Sequence, residues 1–285
     1  MKTHIAFTAH ARTLAALLAC LAALASSSAL VRPAATAERT VRLRVMSYNI
    51  HVGIGMDKQL DLARIAAVIR EQRPDLVGLQ EVDRGVERTK RVDQIAELAR
   101  LTGMEYAFAH NLNYQGGQYG VAVLSRLPIL AIDHRRYANL REAERRGLLR
   151  VEVSKDGTRL HFVNTHLDYQ HADGRLFETQ QLLAALPATE APVIIAGDFN
   201  DEPTGTSYKL MLTRFADAWT ECDERDDERR DGAPSGLTYP ADKPAKRIDY
   251  VFFDKRRVRA RRARVPVTTA SDHLPLVVDL EIKAR

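Results

Sequence analysis

Apolar and polar positions repeat with two periods along the chain, and these periods predict strands interleaved with helices. The stretch at residues 41–50 begins with strict alternation, which is typical of a half-buried strand. Short apolar runs predict seven more strands, and apolar positions that recur every three or four residues predict three helices. The predicted strands lie at residues 75–82, 119–126, 148–153, 159–167, 191–198, 247–253 and 274–282, and the predicted helices at residues 59–73, 92–102 and 174–186.

Residues that cap or break helices mark the ends of the predicted helices. Asp57 is predicted to cap the first helix and Pro74 to end it, and Gly103 is placed to end the second. Strands outnumber helices, and some helices lie between strands. This order favours an α/β layered domain with mixed sheets over a barrel of strict βα repeats. Since no linker or repeat divides residues 40–285, one domain is expected there.

The first 37 residues have a different composition from the rest. Lys2 and Arg12 precede an uncharged, Ala- and Leu-rich run at residues 13–31, which is typical of a secretory signal peptide cleaved after Ala29 or Ala37. The sequence therefore predicts an exported protein, either periplasmic or secreted. An uncleaved membrane anchor is an alternative, because the run is close to the length that spans a bilayer. Lipidation at Cys20 is another, although the apolar run continues past that residue.

Removal of residues 1–37 also changes the charge and the cysteine content. It takes away three basic residues and no acidic one, so the formal net charge falls from +5 to +2. A nearly neutral protein gives little support to nucleic-acid binding. Cys222 is then the single cysteine, which excludes an intramolecular disulfide and a zinc site with two cysteine ligands.

Polar and charged side chains stand where the apolar runs end. These side chains belong to Asn49, Glu81, His166, Asp198, Asn200, Asp249, Asp272 and His273. Taken one at a time, such residues are most often turn or cap residues. Taken together they indicate a site, because ligands of layered α/β folds bind where loops cluster at one end of the sheet. The residue types suit metal binding and acid–base chemistry.

The motifs at these positions resemble those of a known family. In order, they read YNIHVG, GLQEV, YGVAVLSR, NTHLD, AGDFN, RIDYVF and SDHLPL. This series resembles the endonuclease/exonuclease/phosphatase superfamily, the DNase I-like group that includes apurinic endonucleases, neutral sphingomyelinases and inositol-phosphate 5-phosphatases. The resemblance spans about residues 42–282. It implies a four-layered αββα sandwich with two packed mixed β-sheets.

The resemblance also implies a metal site. Carried over by position, Glu81 would be the main ligand of Mg²⁺, with Asn49 and Asp272 beside the metal or a phosphate oxygen. A hard cation with oxygen ligands suits phosphate-ester hydrolysis, because it neutralises charge at an anionic centre. Mn²⁺ is an alternative to Mg²⁺, since the sequence does not choose between hard cations.

The remaining motif positions would supply the acid–base chemistry. The resemblance implies that Asp198 orients or deprotonates the attacking water and that Asn200 holds a phosphate oxygen. His273 would pair with Asp249, which fixes the imidazole tautomer, and would stabilise the transition state as a cation. His166 would contact the scissile phosphate from the other side.

Three functions are compatible with these motifs. The first is a secreted or periplasmic phosphodiesterase that acts on lipid headgroups or other small phosphoesters, as a monomer with peripheral membrane contact. The alternative enzyme is a secreted endo- or exonuclease that cleaves DNA or RNA. The third is a binding module without catalytic activity. The presence of every site residue type argues against it.

Several charged segments could extend the site. Residues 255–264 contain seven basic residues in ten, which fits either an anion-binding surface or an arginine-covered edge strand. Residues 221–231 are predicted to be a solvated loop. Arg145 or Arg146 could reach a substrate phosphate or lie on the surface. Arg88, Asp93 and Gln94 are candidates for the rim of the site.

Overall fold

A computed structural model describes residues 39–227 and 235–284 of the chain. The predicted signal peptide at residues 1–37, with Cys20, lies outside these ranges and stays a prediction. Within the described ranges, no helix is long and apolar enough to cross a membrane.

Thirteen strands make up the two sheets of the described chain. They are β1 (Thr40–Asn49), β2 (Leu76–Arg84), β3 (Glu105–Tyr114), β4 (Gly117–Ser125), β5 (Ile129–Arg136), β6 (Gly147–Lys155), β7 (Thr158–His166), β8 (Val193–Asp198), β9 (Ala216–Asp217), β10 (Glu224–Asp227), β11 (Asp249–Phe253), β12 (Val258–Val265) and β13 (Leu276–Lys283). The larger sheet has seven strands in the order β10-β12-β13-β1-β2-β4-β3. The smaller sheet has six strands in the order β5-β6-β7-β8-β11-β9.

Helices cover the outer face of each sheet. They are α1 (Leu62–Gln72), α2 (Gln94–Thr102), α3 (Ala172–Ala185) and α4 (Thr206–Leu212). A single further turn, α5 (Ala218–Glu221), packs Ala218 and Trp219 into the apolar cluster between the sheets. Short 3₁₀ turns follow β1 at His51–Gly53 and β2 at Glu87–Thr89.

Three apolar clusters hold the layers together. The largest lies between the two sheets and includes Val45 from one sheet and Phe162 from the other. The second joins the larger sheet to α1 and α2, for example through Ile65 and Leu98. The third joins the smaller sheet to α3 and α4 and includes Tyr208. The order of layers is therefore helix, sheet, sheet, helix, which confirms the predicted αββα sandwich.

The pairing of the strands brings their polar ends to one edge of each sheet. β1 runs parallel to β2, and β7 runs parallel to β8. β11 runs antiparallel to β8, and β13 antiparallel to β1, so the residues that begin these two strands reach the same edge. The strand-end residues of the sequence pattern thus come together because of the mixed topology of both sheets.

Some local predictions are wrong. Asp61, and not Asp57, caps α1 by accepting a hydrogen bond from the Arg64 backbone amide at 3.1 Å. Asp57 instead pairs with the Arg64 side chain, at 2.7 Å. The helix ends at Gln72, just before Pro74, and Gly103 ends α2 as predicted.

The two charged segments pair with each other. Part of the predicted loop at residues 221–231 is strand β10, which lies outside β12, so the arginine-rich β12 is not an edge strand. Asp223 accepts hydrogen bonds from Arg259 at 2.7 Å and from Arg261 at 2.9 Å. Arg262 donates to Asp226 at 2.6 Å. These ion pairs occupy the guanidinium groups of Arg259, Arg261 and Arg262, which argues against an anion-binding surface formed by these three side chains.

Candidate active site

A cavity of about 820 Å³ opens at the edge where the strand ends meet. Six of the sequence-predicted site residues line it, namely Glu81, His166, Asp198, Asn200, Asp272 and His273. The other two, Asn49 and Asp249, are almost fully buried directly behind this lining. All eight predicted residues therefore belong to one site, drawn from both sheets.

Asp198 lies at the centre of the site. It ends β8 and is paired in register with His166 on one neighbouring strand and Asp249 on the other. Its Oδ1 accepts from the Asn200 backbone amide at 2.9 Å, and its Oδ2 accepts from the Asn49 side chain at 3.0 Å. Burial, reinforced by the Asp249 carboxylate, raises the pKa of Asp198 to about 7.

His273 and Asp249 form a buried hydrogen-bonded pair. His273 Nδ1 donates to Asp249 Oδ2 at 2.9 Å, and the hydroxyl of Thr238 donates to the same oxygen at 2.6 Å. Burial alone would lower the pKa of His273, but the carboxylates of Asp249, Asp198 and Asp272 outweigh it and raise the pKa to about 10. His273 is therefore an imidazolium at neutral pH, with its Nε2 3.7 Å from Asp198 Oδ2.

His166 has the opposite electrostatic environment. Burial, with the charges of Arg146 and His273, holds its pKa well below the ordinary value, so the ring is neutral at pH 7. Arg146 donates to its Nδ1 at 2.8 Å, and an arginine can only donate. The proton of a neutral His166 is therefore on Nε2, and the acceptor near it is Asp198 Oδ2 at 3.6 Å. The Asn200 nitrogen Nδ2, 3.0 Å from Nε2, is itself a donor and donates to the Leu167 carbonyl, so it is a neighbour of Nε2 and not its acceptor.

Glu81 reaches the cavity through an irregularity in β2. The register of β2 with β4 shifts between Leu79 and Val82, and Glu81 adopts a positive φ of 57°. A non-glycine residue in this region is strained, and such strain is concentrated at functional sites. Asn49 donates to Glu81 Oε1 at 3.0 Å with the same amide group that binds Asp198. Asn49 thus holds the two carboxylates at a fixed separation.

The comparison with protein families agrees with this geometry. Residues 46–273 match the model of the Endonuclease/Exonuclease/phosphatase family. The chain belongs to that family.

Alignments with relatives and with solved structures cover most of this chain. The uncharacterized protein YbhP of Escherichia coli K12 is 28% identical, over 84% of this chain and 96% of its own. A putative neutral sphingomyelinase of Caenorhabditis elegans is 24% identical, over 74% of this chain and 57% of its own. The crystal structure of an endonuclease/exonuclease/phosphatase family protein from Bacteroides thetaiotaomicron, at 19% identity, superimposes with a TM-score of 0.72 and covers 86% of this chain and 96% of that one.

In this family member, a pair of buried amides connects the two sheets directly behind the site. Asn164 on β7 donates to the carbonyl oxygens of Leu79 at 2.8 Å and Ala122 at 2.7 Å, the paired residues at which the irregularity in β2 begins. Gln80 donates to Asn164 Oδ1 at 2.7 Å. A Cβ at Gly78 would lie 2.8 Å from that oxygen, so the close approach requires glycine. Sequence reasoning missed this bridge, which contacts the residues directly before Glu81 in β2.

The close packing of β7 and β8 also requires a glycine, at position 197. A Cβ at Gly197 would lie 2.5 Å from the carbonyl oxygen of Thr165 on β7. In the sequence, a glycine directly before Asp198 is the signal that predicts such a close approach of two backbone segments. Gly197 therefore keeps β8 near enough to β7 for Asp198 to meet His166.

Two groups of residues could hold a metal ion. The ligand atoms of Asp198, Asp249 and His273 lie within 4.8 Å of one another, which makes this cluster a possible metal site. The carboxylates around it raise the pKa of its imidazole, so a metal ion bound there would have to displace the ring proton. Glu81 and Asp272 offer carboxylates on the cavity wall, the ligands that Mg²⁺ prefers. His51 Nδ1 lies 3.7 Å from Asp272 Oδ1.

The arginines and rim residues that the sequence suggests take different positions in the structure. Arg146 lines the cavity and is 3% exposed, with its guanidinium bound to His166 and, at 3.1 Å, to Glu144. Arg88 also lines the cavity. Asp93 instead caps α2, and Gln94 is buried, where it donates to the Val52 carbonyl at 2.6 Å.

Proposed function

We propose that this protein is an exported, metal-dependent phosphodiesterase that acts on a lipid headgroup or another small phosphodiester. One observation carries the proposal. Asp198 lies at the floor of a cavity between a neutral His166 and a cationic His273, with one of its oxygens within 3.7 Å of an Nε2 atom of each ring. A base with a pKa near 7 next to a neutral donor and a fixed cation suits hydrolysis of an anionic ester.

The side chains have separate roles in this proposal. Asp198 accepts the proton of the attacking water, because its ionised form is available from about pH 7 upward. His166 donates from Nε2 to an oxygen of the scissile phosphate, and Asn200 orients that phosphate by binding one of its oxygens. His273 remains charged and stabilises the negative charge that develops as water attacks. Arg146 occupies Nδ1 of His166 and so keeps the ring proton on Nε2, the nitrogen near Asp198.

The donor set also fits a hard divalent cation. Glu81, with Asn49 and Asp272, would hold Mg²⁺ or Mn²⁺, since carboxylate and amide oxygens are the ligands of these ions. When bound, the cation neutralises phosphate charge and acts as a Lewis acid. The proposed ligands lie in loops and strand ends of the larger sheet, whereas the acid–base residues other than His273 belong to the smaller sheet.

The substrate class rests on the relatives and on the surface charge. The C. elegans relative is named as a putative neutral sphingomyelinase, which favours a lipid phosphodiester. The ion-paired arginines of β12 do not favour a nuclease. Export, to the periplasm or the medium, is supported by the sequence pattern of residues 1–37 alone.

A panel of substrates tests the proposal. The purified protein is incubated with sphingomyelin, phosphatidylinositol, bis-p-nitrophenyl phosphate, plasmid DNA and single-stranded DNA, in the presence of Mg²⁺, Mn²⁺ or EDTA. We expect EDTA-sensitive hydrolysis of a lipid or of the small diester, and no cleavage of DNA. The Asp198→Asn variant, purified in parallel, controls for contaminating hydrolases.

Two outcomes would contradict the proposal. Cleavage of DNA at a rate above that of every lipid and small diester would make the protein a nuclease. Absence of metal-dependent hydrolysis across the panel would remove the catalytic assignment and leave the family membership and fold.

A further inference from the structure

The active-site cavity has room for more of a substrate than its phosphate group. Its volume of about 820 Å³ is typical of pockets that enclose a whole small ligand. Beyond the catalytic residues, the wall carries the aromatic rings of Tyr114, Tyr119 and Tyr169. Aromatic rings of this kind bind quaternary ammonium groups such as choline when their faces are open.

Arginines lie against all three of these rings. The guanidinium carbon of Arg88 is 4.7 Å from the ring centre of Tyr114 and 5.3 Å from that of Tyr119. The guanidinium carbon of Arg146 is 6.0 Å from the ring centre of Tyr169. Tyr239, a fourth ring of the cavity lining, packs on the imidazole of His273 with the ring centres 4.7 Å apart. The cation–π capacity of this wall is therefore already used by the protein's own cations, and a choline group would approach fixed positive charge.

Arg88 is held rigidly in this arrangement. Its Nε and Nη2 donate to the two oxygens of Asp83 at 2.8 and 2.9 Å. Asp83 is fully buried, whereas the Arg88 side chain is 34% exposed and lines the cavity. The carboxylate therefore binds one edge of the guanidinium from behind, and the rest of the planar group faces the cavity. A fixed guanidinium of this kind suits carboxylate and phosphate groups.

This wall lies next to the proposed catalytic centre. Tyr119 lines the cavity together with Glu81, Arg146, Glu144 and Arg88. A substrate whose phosphate lies near Glu81 would extend its substituent over Tyr119 toward Arg88. Glu144 is the acidic neighbour here, and it pairs with Arg146 at 3.1 Å.

We propose that the wall formed by Arg88, Tyr114 and Tyr119 binds a second anionic group of the substrate. This inference rests on the proposed phosphodiesterase function and narrows its substrate class. The preferred diester carries a carboxylate or a further phosphate a few atoms from the scissile phosphorus, as in an acidic headgroup, and a choline ester is a poor substrate.

Three chromogenic diesters with one leaving group test the proposal. They are the p-nitrophenyl phosphodiesters of choline, of propanol and of 3-hydroxypropanoate, whose substituents are cationic, neutral and anionic. We expect kcat/KM to be highest for the anionic ester and lowest for the choline ester. Arg88→Gln should reduce the preference for the anionic over the neutral ester about tenfold, the size of one charge-assisted hydrogen bond.

Two further variants make the result specific. Arg84→Gln removes a nearby arginine that pairs with Asp93 and does not line the cavity, and it should keep the wild-type preference. Because Arg88→Gln leaves the buried Asp83 unpaired, the double variant Asp83→Asn/Arg88→Gln provides a neutral pair. It should show the same reduced preference.

The outcomes separate this proposal from the proposed function. A preference for the choline ester, or an equal change of preference in the Arg84 and Arg88 variants, would overturn the anionic site. If no ester is hydrolysed, the phosphodiesterase function fails, and calorimetric binding of the three esters still decides the matter. Tighter binding of the anionic ester that is lost in the double variant supports the site, and equal binding of all three esters refutes it.

Discussion

Asp198 and Asp249 stand directly opposite each other on the antiparallel strands β8 and β11, and both are about 1% exposed. Burial raises the pKa of Asp198, and the repulsion between the two neighbouring carboxylates raises it further. His273 lies within 3.7 Å of both and is a cation for that reason. The charge of Asp249 therefore acts on both Asp198 and His273, and its removal changes the pKa of each.

The first prediction concerns the alkaline limb of activity. Asp249→Asn removes the partner that stabilises the His273 cation, so the pKa of His273 falls from about 10. A cation is lost as pH rises through its pKa, so the alkaline limb of kcat/KM should move down by about 1 to 3 pH units. The pH profile between 6 and 10.5 measures this. Asp254→Asn, just beyond the far end of β11, is the control; an unshifted limb in Asp249→Asn would refute the role of the pair.

The second prediction concerns the base. Asp198→Asn keeps the shape of the side chain but removes its ability to take a proton, so kcat should fall by at least about 100-fold. In the wild type, a base with a pKa of about 7 is protonated below that pH, so activity should decline as pH falls below 7. Kinetics and thermal unfolding of both proteins are compared. Near-wild-type turnover in a folded Asp198→Asn variant would show that another group is the base.

The ends of the strands could be predicted from the sequence because the pattern there is local. A buried strand that stops at a polar residue is visible as an apolar run followed by His166 or Asp198. The edge strands β3 and β5 were missed, because an edge strand exposes much of its surface and its apolar pattern is weak.

Contacts between the sheets could not be read from the sequence in the same way. Asn164 lies within an apolar strand and contacts Leu79 and Ala122, which are 85 and 42 positions away. Arg146 and Arg145 are adjacent in the sequence, and only the fold distinguishes the buried partner of His166 from its neighbour. Arg88 likewise belongs to the cavity because β4 brings Tyr119 beside it.

The third prediction concerns the Asn164 bridge. Asn164→Ala leaves two buried carbonyl groups without their donor, which should cost about 1 to 3 kcal/mol of unfolding free energy. Because these carbonyls belong to the strand pair at which the irregularity that carries Glu81 begins, the Mg²⁺ concentration for half-maximal activity should also rise. Urea denaturation and Mg²⁺ titrations measure the two effects. Asn113→Ala, at an exposed position of β3, is the matched control. A loss of stability with an unchanged Mg²⁺ requirement would limit the bridge to a structural role.

The fourth prediction concerns stability and pH. Burial raises the pKa of Glu178 on α3 to about 7, although its carboxylate accepts a hydrogen bond from the Asp168 amide at 2.7 Å. The folded state therefore binds this proton more tightly than the unfolded state, so the stabilisation is present below about pH 4.5 and is lost as pH rises toward 7. The unfolding free energy of Glu178→Gln, measured relative to that of wild type, should therefore be about 1 to 3 kcal/mol higher at pH 8 than at pH 5. Urea denaturation at the two pH values measures the difference, with the exposed Glu87→Gln as control. An equal difference between Glu178→Gln and wild type at both pH values would show that Glu178 titrates normally in the folded protein.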